Sequence, residues 1–404
     1  MSNEIIEKAK KIMKQPLCDH CLGRQFGQLL HGYTNKERGS MVRTAVAMSI
    51  DKADWQPDIE MSNFHGFKFH NLDTSSVERK KCEICGDLFR NLPKWIVKIK
   101  KRSEKYEFSS FLVGTKLSFD LVEKEEALWE RIGIDHCEPL KAEVNREVGK
   151  LVEKELKVRF DPKRPQANII LNFDSGKVAI EINPLFIYGE YQKLKRGIPQ
   201  TKWPSGKYKT SVEQIIAKPF MAATGGRSHK LHGMGREDID ARCLGWRPFV
   251  LEILEPRKRS IDVQKLAKKI APAVRVRNVR FSDIEQVREI KELRTEKTYR
   301  ALVVCEAAIR KADLRKLSQL KTISQKTPQR VLHRRADRYR KRSVKSIKAR
   351  FITRRKFMLE IRGEAGLYIK ELITGDSGRT EPNVSSLLGT PCTCKELDVL
   401  AIHH

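Results

Sequence analysis

Acidic residues are in short supply in this chain. Asp and Glu number 51 against 81 Lys and Arg in 404 residues, which leaves a formal charge of +30. No apolar run approaches the about 20 residues that a bilayer-spanning helix needs, so no membrane segment is expected. The opening residues, Met1 to Lys8, lack the apolar stretch of a secretory signal. Neither a G-x-G-x-x-G nor a G-x-x-x-x-G-K-[ST] loop occurs, which argues against a dinucleotide or P-loop enzyme and against a methyl-donor loop of that type. The nine cysteines are an odd number and suit a reducing compartment and metal binding better than a disulfide framework. These absences point to a cytoplasmic protein.

What is present is basic and well supplied with apolar residues. Hydrophobic residues make up 40% of the chain, enough for real cores and too many for wholesale disorder. The length suggests two or three domains. A surplus of +30 calls for a polyanionic partner, and for a chain of this type that means nucleic acid. The surplus is uneven: residues 321–356 hold 15 Lys or Arg against one Asp, with His333, Tyr339 and Phe351 interleaved. A solvated charged helix would mix both signs to form i, i+4 pairs, and this segment does not. It reads instead as an arm that tracks phosphates.

Four cysteines form two C-x-x-C pairs, Cys18 with Cys21 and Cys82 with Cys85. Two thiolates at that spacing grip one tetrahedral Zn²⁺ from a tight turn, and two such pairs complete a four-cysteine structural site. Glycines follow each pair at Gly23 and Gly86, as knuckle turns often need. The 60 residues between the pairs require an inserted segment that leaves and returns. Two unrelated pairs, one of them redox-active, are the alternative. His20 lies inside the first pair and is read as a neighbour of the site and not a ligand.

Periodicity places a helix over 4–13, with Ile5, Ile6, Ala9, Ile12 and Met13 on one face. Residues 95–123 read as strand-rich and 139–157 as helical. Ala167–Phe173 and Lys177–Ile182 alternate as two strands joined by the turn Asp174-Ser175-Gly176. Segment 189–210, rich in Gly, Pro and Lys, reads as a linker to a second half that opens with a helix over 211–218.

Three segments of the second half carry chemistry. Gly235-Arg236-Glu237-Asp238-Ile239-Asp240 follows a glycine-rich approach that suits close contact with phosphate or sugar. There Arg236 can hold a phosphate while Asp238 faces the sugar. Lys297-Thr298-Tyr299-Arg300-Ala301 puts a ring at the start of a buried strand, where it can stack on a base. Gly366-Leu367-Tyr368-Ile369-Lys370 sets an ammonium in an apolar context that demands a carboxylate partner. The residues leave alternatives open: Asp238 could cap a helix and leave Asp240 as the functional acid, the two could form a D-x-D cation site, Tyr299 could be core, and Lys370 could reach the surface.

Taken in order, the three segments resemble the motifs of the pseudouridine synthase superfamily. Lys163-Arg164-Pro165-Gln166-Ala167, Arg196-Gly197-Ile198-Pro199-Gln200-Thr201, Arg247-Pro248-Phe249, Arg330-Val331-Leu332-His333-Arg334-Arg335, Gly375-Asp376-Ser377-Gly378-Arg379-Thr380 and the cysteine pairs resemble, more narrowly, the archaeal and eukaryotic tRNA pseudouridine-54/55 synthase family. Glu190 departs from that pattern, where a basic residue is expected.

The resemblance implies an α/β (α+β) architecture. A zinc-binding, THUMP-type RNA-binding accessory domain would occupy residues 1–205. A catalytic domain of the pseudouridine synthase fold, with a long mixed central sheet, would occupy 206–404. It implies isomerisation of uridines 54 and 55 in the TΨC arm of tRNA, structural Zn²⁺ on Cys18, Cys21, Cys82 and Cys85, no organic cofactor, no obligate protein partner, and a monomer. Asp238 would be the catalytic aspartate, Tyr299 the active-site tyrosine and Lys370 the basic partner of the aspartate. Arg236, Tyr299, Arg334, Arg335 and Tyr339 would contact RNA. The competing classes are a THUMP-bearing methyltransferase, which would need a glycine-rich methyl-donor loop, and a non-catalytic tRNA chaperone, which has no need of this acid in a basic cleft.

Overall fold

The chain divides between Asn183 and Pro184 into two units, well before the expected boundary at 205/206. A computed structural model describes residues 2–52 and 58–403, without the side chains of Ser2, Asn3 and Arg334.

The first unit opens with helices α1 (Ser2–Ile12), α2 (Asp19–Gly23) and α3 (Asn35–Asp51), followed by α4 (Leu88–Ser103). Helix α1 buries Ala9 and Ile12, while Ile5, expected on the same face, is 41% exposed. Strand β1 (Ser110–Lys116) and helices α5 (Phe119–Ile132) and α6 (Leu140–Leu156) come next, then β2 (Arg159–Phe160), β3 (Ala167–Asn172) and β4 (Lys177–Ile182). The strands form a sheet in the order β2-β1-β3-β4, in which only β3 and β4 run antiparallel. The strand-rich reading of 95–123 holds only at its clearest run, Phe111-Leu112-Val113-Gly114, which lies in β1. Leu88, Leu92, Ile96 and Ile99 are buried at helical spacing, so α4 runs to Ser103 and only β1 is extended.

The second unit begins with β5 (Leu185–Lys193), so the first five residues of the expected linker are strand, and the last of them, Lys193, is buried. Then follow α7 (Val212–Thr224), β6 (Ser228–Gly233), β7 (Arg242–Leu254), α8 (Val263–Ala267), β8 (Val274–Ser282), α9 (Ile284–Glu292), β9 (Glu296–Cys305), β10 (Thr322–Lys326), β11 (Tyr339–Thr353), β12 (Lys356–Gly363), α10 (Ile369–Thr374), β13 (Thr380–Glu381), α11 (Val384–Leu388) and β14 (Cys392–His403). Strand β5 pairs antiparallel with β7 and β8. Helix α7 starts where expected and continues six residues beyond 218. The large mixed sheet runs β13-β10-β11-β12-β9-β14-β7-β5-β8, with β6 also paired to β7.

The basic segment 321–356 is neither a helix nor a free arm. Most of it is β10 and β11, paired antiparallel, with β11 also paired to β12. Exposed and half-buried residues alternate along β11, which lets one face carry like charges in water.

Glu190 also finds an explanation in this sheet. It is buried and accepts hydrogen bonds from Arg277 (2.8 Å) and Asn278 (3.0 Å) of β8. An acid there ties two strands together and is not a phosphate contact.

Candidate active site

The loop between β6 and β7 carries Asp238, and the protein pins its main chain carbonyl by carbonyl. Lys193, at the end of β5, is fully buried, and its ammonium donates to the carbonyls of Ile198 (2.9 Å), Asp238 (3.0 Å) and Ile239 (3.2 Å). Burial lowers the pKa of that ammonium first, and the Glu237 carboxylate 3.7 Å away works against the drop. Arg196 donates to the carbonyl of Asp240 (2.9 Å), Gln200 to that of Gly235 (2.9 Å) and Arg247 to that of Met234 (2.6 Å). Glu237 faces inward, accepting from the Tyr191 hydroxyl (3.0 Å) and pairing with Arg247 (3.1 Å). A buried ammonium without such partners would be costly, so Lys193 belongs inside only because these acceptors surround it. Gly235 sits at a φ of +74°, a left-handed conformation that glycine adopts at little cost.

The side chain of Asp238 therefore projects from a fixed backbone into a cavity of about 750 Å³. Arg236, Asp238, Asp240, Lys297, Tyr299, Arg330, Arg335 and Lys370 are among its lining residues. One carboxylate oxygen of Asp238 accepts from Arg330 (3.0 Å), and the other stands 3.5 Å from the Lys370 ammonium. Lys370 hydrogen-bonds both oxygens of Asp240, at 2.8 and 2.7 Å. Its nearest partner is thus Asp240, and Arg330 is the cation hydrogen-bonded to Asp238. Burial, the largest single influence, would lower the pKa of Lys370, but the Asp240 hydrogen bonds and the charges of Asp238 and Asp240 together outweigh it and hold the ammonium above its ordinary value. Asp240 is correspondingly held low, because Lys370 overcomes the opposing effect of burial. Arg330 is also gripped by the buried Glu371 at 2.6 Å. Burial opposes its charge, and Glu371 and Asp238 more than compensate.

Tyr299 stands on β9 facing this cavity. Burial pushes its phenol up to about 12, with Arg247 opposing, so it is a neutral phenol at neutral pH. Arg335 donates to the Tyr368 hydroxyl at 2.9 Å, and Arg236 is exposed at the rim. Tyr339 does not line the cavity; it is 68% exposed on β11 with the Lys326 ammonium 5.3 Å above its ring. The side chain of Arg334 lies outside the described residues.

Asp238, Tyr299 and Lys370 are thus brought together from three distant segments. Sequence reasoning missed Arg330 and Glu371. Arg330 opens the motif that pointed to Arg334 and Arg335, and Glu371 directly follows Lys370, but neither position announces which charge it meets. Neither carboxylate of the Asp238–Asp240 pair is left without a protein cation.

In the first unit the four cysteines converge. Their sulfurs lie within 4.8 Å of one another, with Cys18 and Cys85 at 3.6 Å. A tetrahedral ion with Zn–S bonds of about 2.3 Å would hold sulfurs roughly 3.8 Å apart, so the cluster fits a metal ion. Cys18 caps α2 and accepts from the Cys21 amide (3.4 Å), and the second pair turns through Gly86 at a φ of +54°. Gly23 serves differently from the expected knuckle turn: its φ is ordinary, but a Cβ there would lie 1.8 Å from the Asn35 carbonyl of α3. His20 stacks on Phe89 at 4.2 Å and bonds Glu143 at 2.8 Å, beside the cluster and not within it.

Comparison with known proteins agrees with both units. The family described as "Pus10, C-terminal" matches residues 186–403, more than half of the chain, and that described as "Pus10 THUMP domain, archaeal" matches 95–172. The chain is 39% identical to the tRNA pseudouridine synthase Pus10 of Methanothermobacter marburgensis, over 99% of this chain and 98% of that protein. Identity to the proteins of the same name is 38% in Pyrococcus furiosus (98% of each chain) and 40% in Methanocaldococcus jannaschii (97% of this chain, 93% of that one). Among solved structures, a Cbf5-Nop10-Gar1 complex is a distant match, 19% identical over 52% of this chain and 47% of that one, with a TM-score of 0.33. With matches that run through both units, the chain belongs to the Pus10 family of tRNA pseudouridine synthases.

Proposed function

We propose that the chain isomerises uridine to pseudouridine at positions 54 and 55 of the TΨC arm of tRNA, with Asp238 as the essential carboxylate. The observation that carries this reading is the aspartate itself, an acid held on a pinned loop in a cavity lined with cations and the phenol of Tyr299. Breaking the N1–C1′ bond and closing a C5–C1′ bond needs no redox partner and no group donor. It needs an ionised carboxylate positioned at the ribose or the base, and Arg330 and Lys370 stand 3.0 and 3.5 Å from the Asp238 oxygens. Tyr299 stacks on the uracil and, as a phenol, can donate a hydrogen bond but not act as a base at neutral pH. The target base must leave the tRNA stack, at a cost of roughly a few kcal/mol. Phosphate contacts from Arg236, Arg335 and the basic face of β11 with Tyr339 offset that cost. Arg334 is assigned to the same surface on its sequence position alone. The choice of positions 54 and 55 rests on the family resemblance. The cysteine cluster holds structural Zn²⁺, whose role is to fold the first unit. No described helix is long and apolar enough to cross a membrane. A tRNA substrate and this cysteine usage suit the cytoplasm.

Incubation of the protein with unmodified tRNA transcript, without added cofactor, is expected to give pseudouridine at 54 and 55 by site-resolved detection. Tight tRNA binding with no pseudouridine would leave a binding module. Pseudouridine elsewhere would keep the chemistry and remove the positional assignment.

The charged face of β11 makes a separate prediction. Neutralising Lys341, Lys348 and Arg350 together should weaken tRNA binding and flatten its salt dependence by roughly one unit of log–log slope for each phosphate no longer neutralised. The three are exposed on the strand, so little change in stability is expected. A salt slope identical to that of the unmodified protein would return β11 to an ordinary solvated strand.

A further inference from the structure

Lys297 is the second residue of β9, and its side chain shares a face with Tyr299, Ala301 and Val303. The pairing with β12 is unbroken from Lys297 opposite Gly363 to Val304 opposite Lys356, so no bulge turns it away. Ala301 and Val303 are buried in the core, which leaves Tyr299 and Lys297 as the residues of that row at the cavity. The ammonium lies against the bare α-carbon of Gly235 on the Asp238 loop. The point a Cβ of Gly235 would occupy is 3.7 Å from Lys297 Nζ and 3.3 Å from Arg247 Nη1.

The neighbouring cations are spoken for: Arg247 by Glu237, Arg330 by Asp238 and Glu371, Lys370 by Asp240 and Asp238. The Lys297 ammonium makes no hydrogen bond or ion pair among the described residues, although it is half-buried. Burial, and then the charge of Arg247, pull its pKa down to about 8. A cation held partly out of water beside another cation is unfavourable unless an anion completes the site. Arg236 and Arg335, the cations assigned above to phosphates, lie exposed where they line the cavity. Lys297 stands two residues from the ring that faces the base.

We propose that Lys297 is a catalytic residue that stabilises the negative charge on the uracil ring while the ring is detached from the ribose. The inference rests on the reading that isomerisation takes place in this cavity. When N1–C1′ breaks, its electron pair leaves with the ring and spreads over N1 and the carbonyl oxygens. When C5 bonds C1′, a ring electron pair forms the new bond, the C5 proton departs and N1 takes a proton. Charge on the ring exists only between those events, so a donor aimed there acts on the rate and not on binding.

Single-turnover rates with saturating unmodified tRNA transcript, together with tRNA dissociation constants, test this. Lys297→Met is expected to slow pseudouridine formation by about 10²–10³-fold, the usual cost of removing a donor to a developing anion, with tRNA affinity within about twofold. Lys297→Arg, which keeps the charge, should recover most of the rate. A Met variant within about threefold of the unmodified rate overturns the assignment. So does a Met variant that binds tRNA weakly but reacts at the full rate once saturated, which would make Lys297 a phosphate contact. Lys297→Gln serves if the Met variant fails to fold. Asp238→Asn and Asp240→Asn, measured alongside, separate the two readings: if both stay active, the cavity is not the reacting site. If either is dead while Lys297→Met is active, only the role of Lys297 falls.

Discussion

Asp238→Asn is expected to reduce pseudouridine formation by about 10⁴-fold or more, the scale on which loss of an essential carboxylate or nucleophile is felt. tRNA affinity should stay within about twofold, because the amide keeps the shape of the side chain and the phosphate-facing residues are untouched. The surroundings are arranged so that this variant folds. Arg330 retains Glu371, and Lys370 retains both oxygens of Asp240, so neither cation is stranded when the Asp238 charge goes. The loop also retains its main-chain bonds to Lys193, Arg196 and Arg247. Asp240→Asn is the informative companion. Asp240 is 69% exposed and bonded to Lys370, so its loss should loosen Lys370 and lower the rate by a smaller factor. If Asp238→Asn keeps near-normal turnover while Asp240→Asn is inactive, the acid has been assigned to the wrong member of the pair.

The second large effect is expected at the four cysteines. Metal analysis of the purified protein should give one Zn²⁺ per chain. Stripping it with a chelator should unfold the first unit and leave the second folded. Binding energies for structural zinc, about 10–16 kcal/mol in zinc-finger peptides, are as large as the whole stability of a typical domain. The cluster links α2 to the turn before α4, and α2 is locked on α3 where Gly23 meets the Asn35 carbonyl. Hydrogen exchange reads the two units separately in the intact chain: amides of α3 and α4 should lose protection on chelation while those of β7 and β9 keep it. Cys82→Ser should behave as the stripped protein does. Absence of bound zinc, or exchange in α3 and α4 that ignores the chelator, would remove the structural role.

Features legible in the sequence are those written in short spacings. Cys18-x-x-Cys21 and Cys82-x-x-Cys85 fix a local turn each, and their meeting follows from shared chemistry. Gly235-Arg236-x-Asp238, Lys297-x-Tyr299 and Tyr368-Ile369-Lys370 likewise keep local order, and the cavity gathers all three. Illegible features depend on partners far along the chain. Lys193 looks like a surface lysine in a basic linker until three carbonyls surround it. Arg330 looks like one more charge in a basic run until it meets Asp238 and Glu371. The helical spacing of Leu92, Ile96 and Ile99 was legible, but β-favouring Trp95, Val97 and Ile99 masked it. In the 321–356 segment, density of charge hid a strand whose charges alternate with half-buried residues.

The position of β14 has a bearing on how the second unit is made. It is the last strand described, yet it lies mid-sheet, antiparallel to β9 and parallel to β7. Its Asp398 joins Arg242 and Arg196, the latter 202 positions earlier, and Arg196 in turn holds the Asp240 carbonyl. During synthesis, β7 and β9 therefore wait with open edges until β14 has emerged, and the cavity cannot close before then. A nascent chain carrying both Asp238 and its basic surface would have no finished pocket, so tRNA could meet its charge but not its chemistry. The protein becomes an enzyme only once β14, with its Asp398, has been made and has paired.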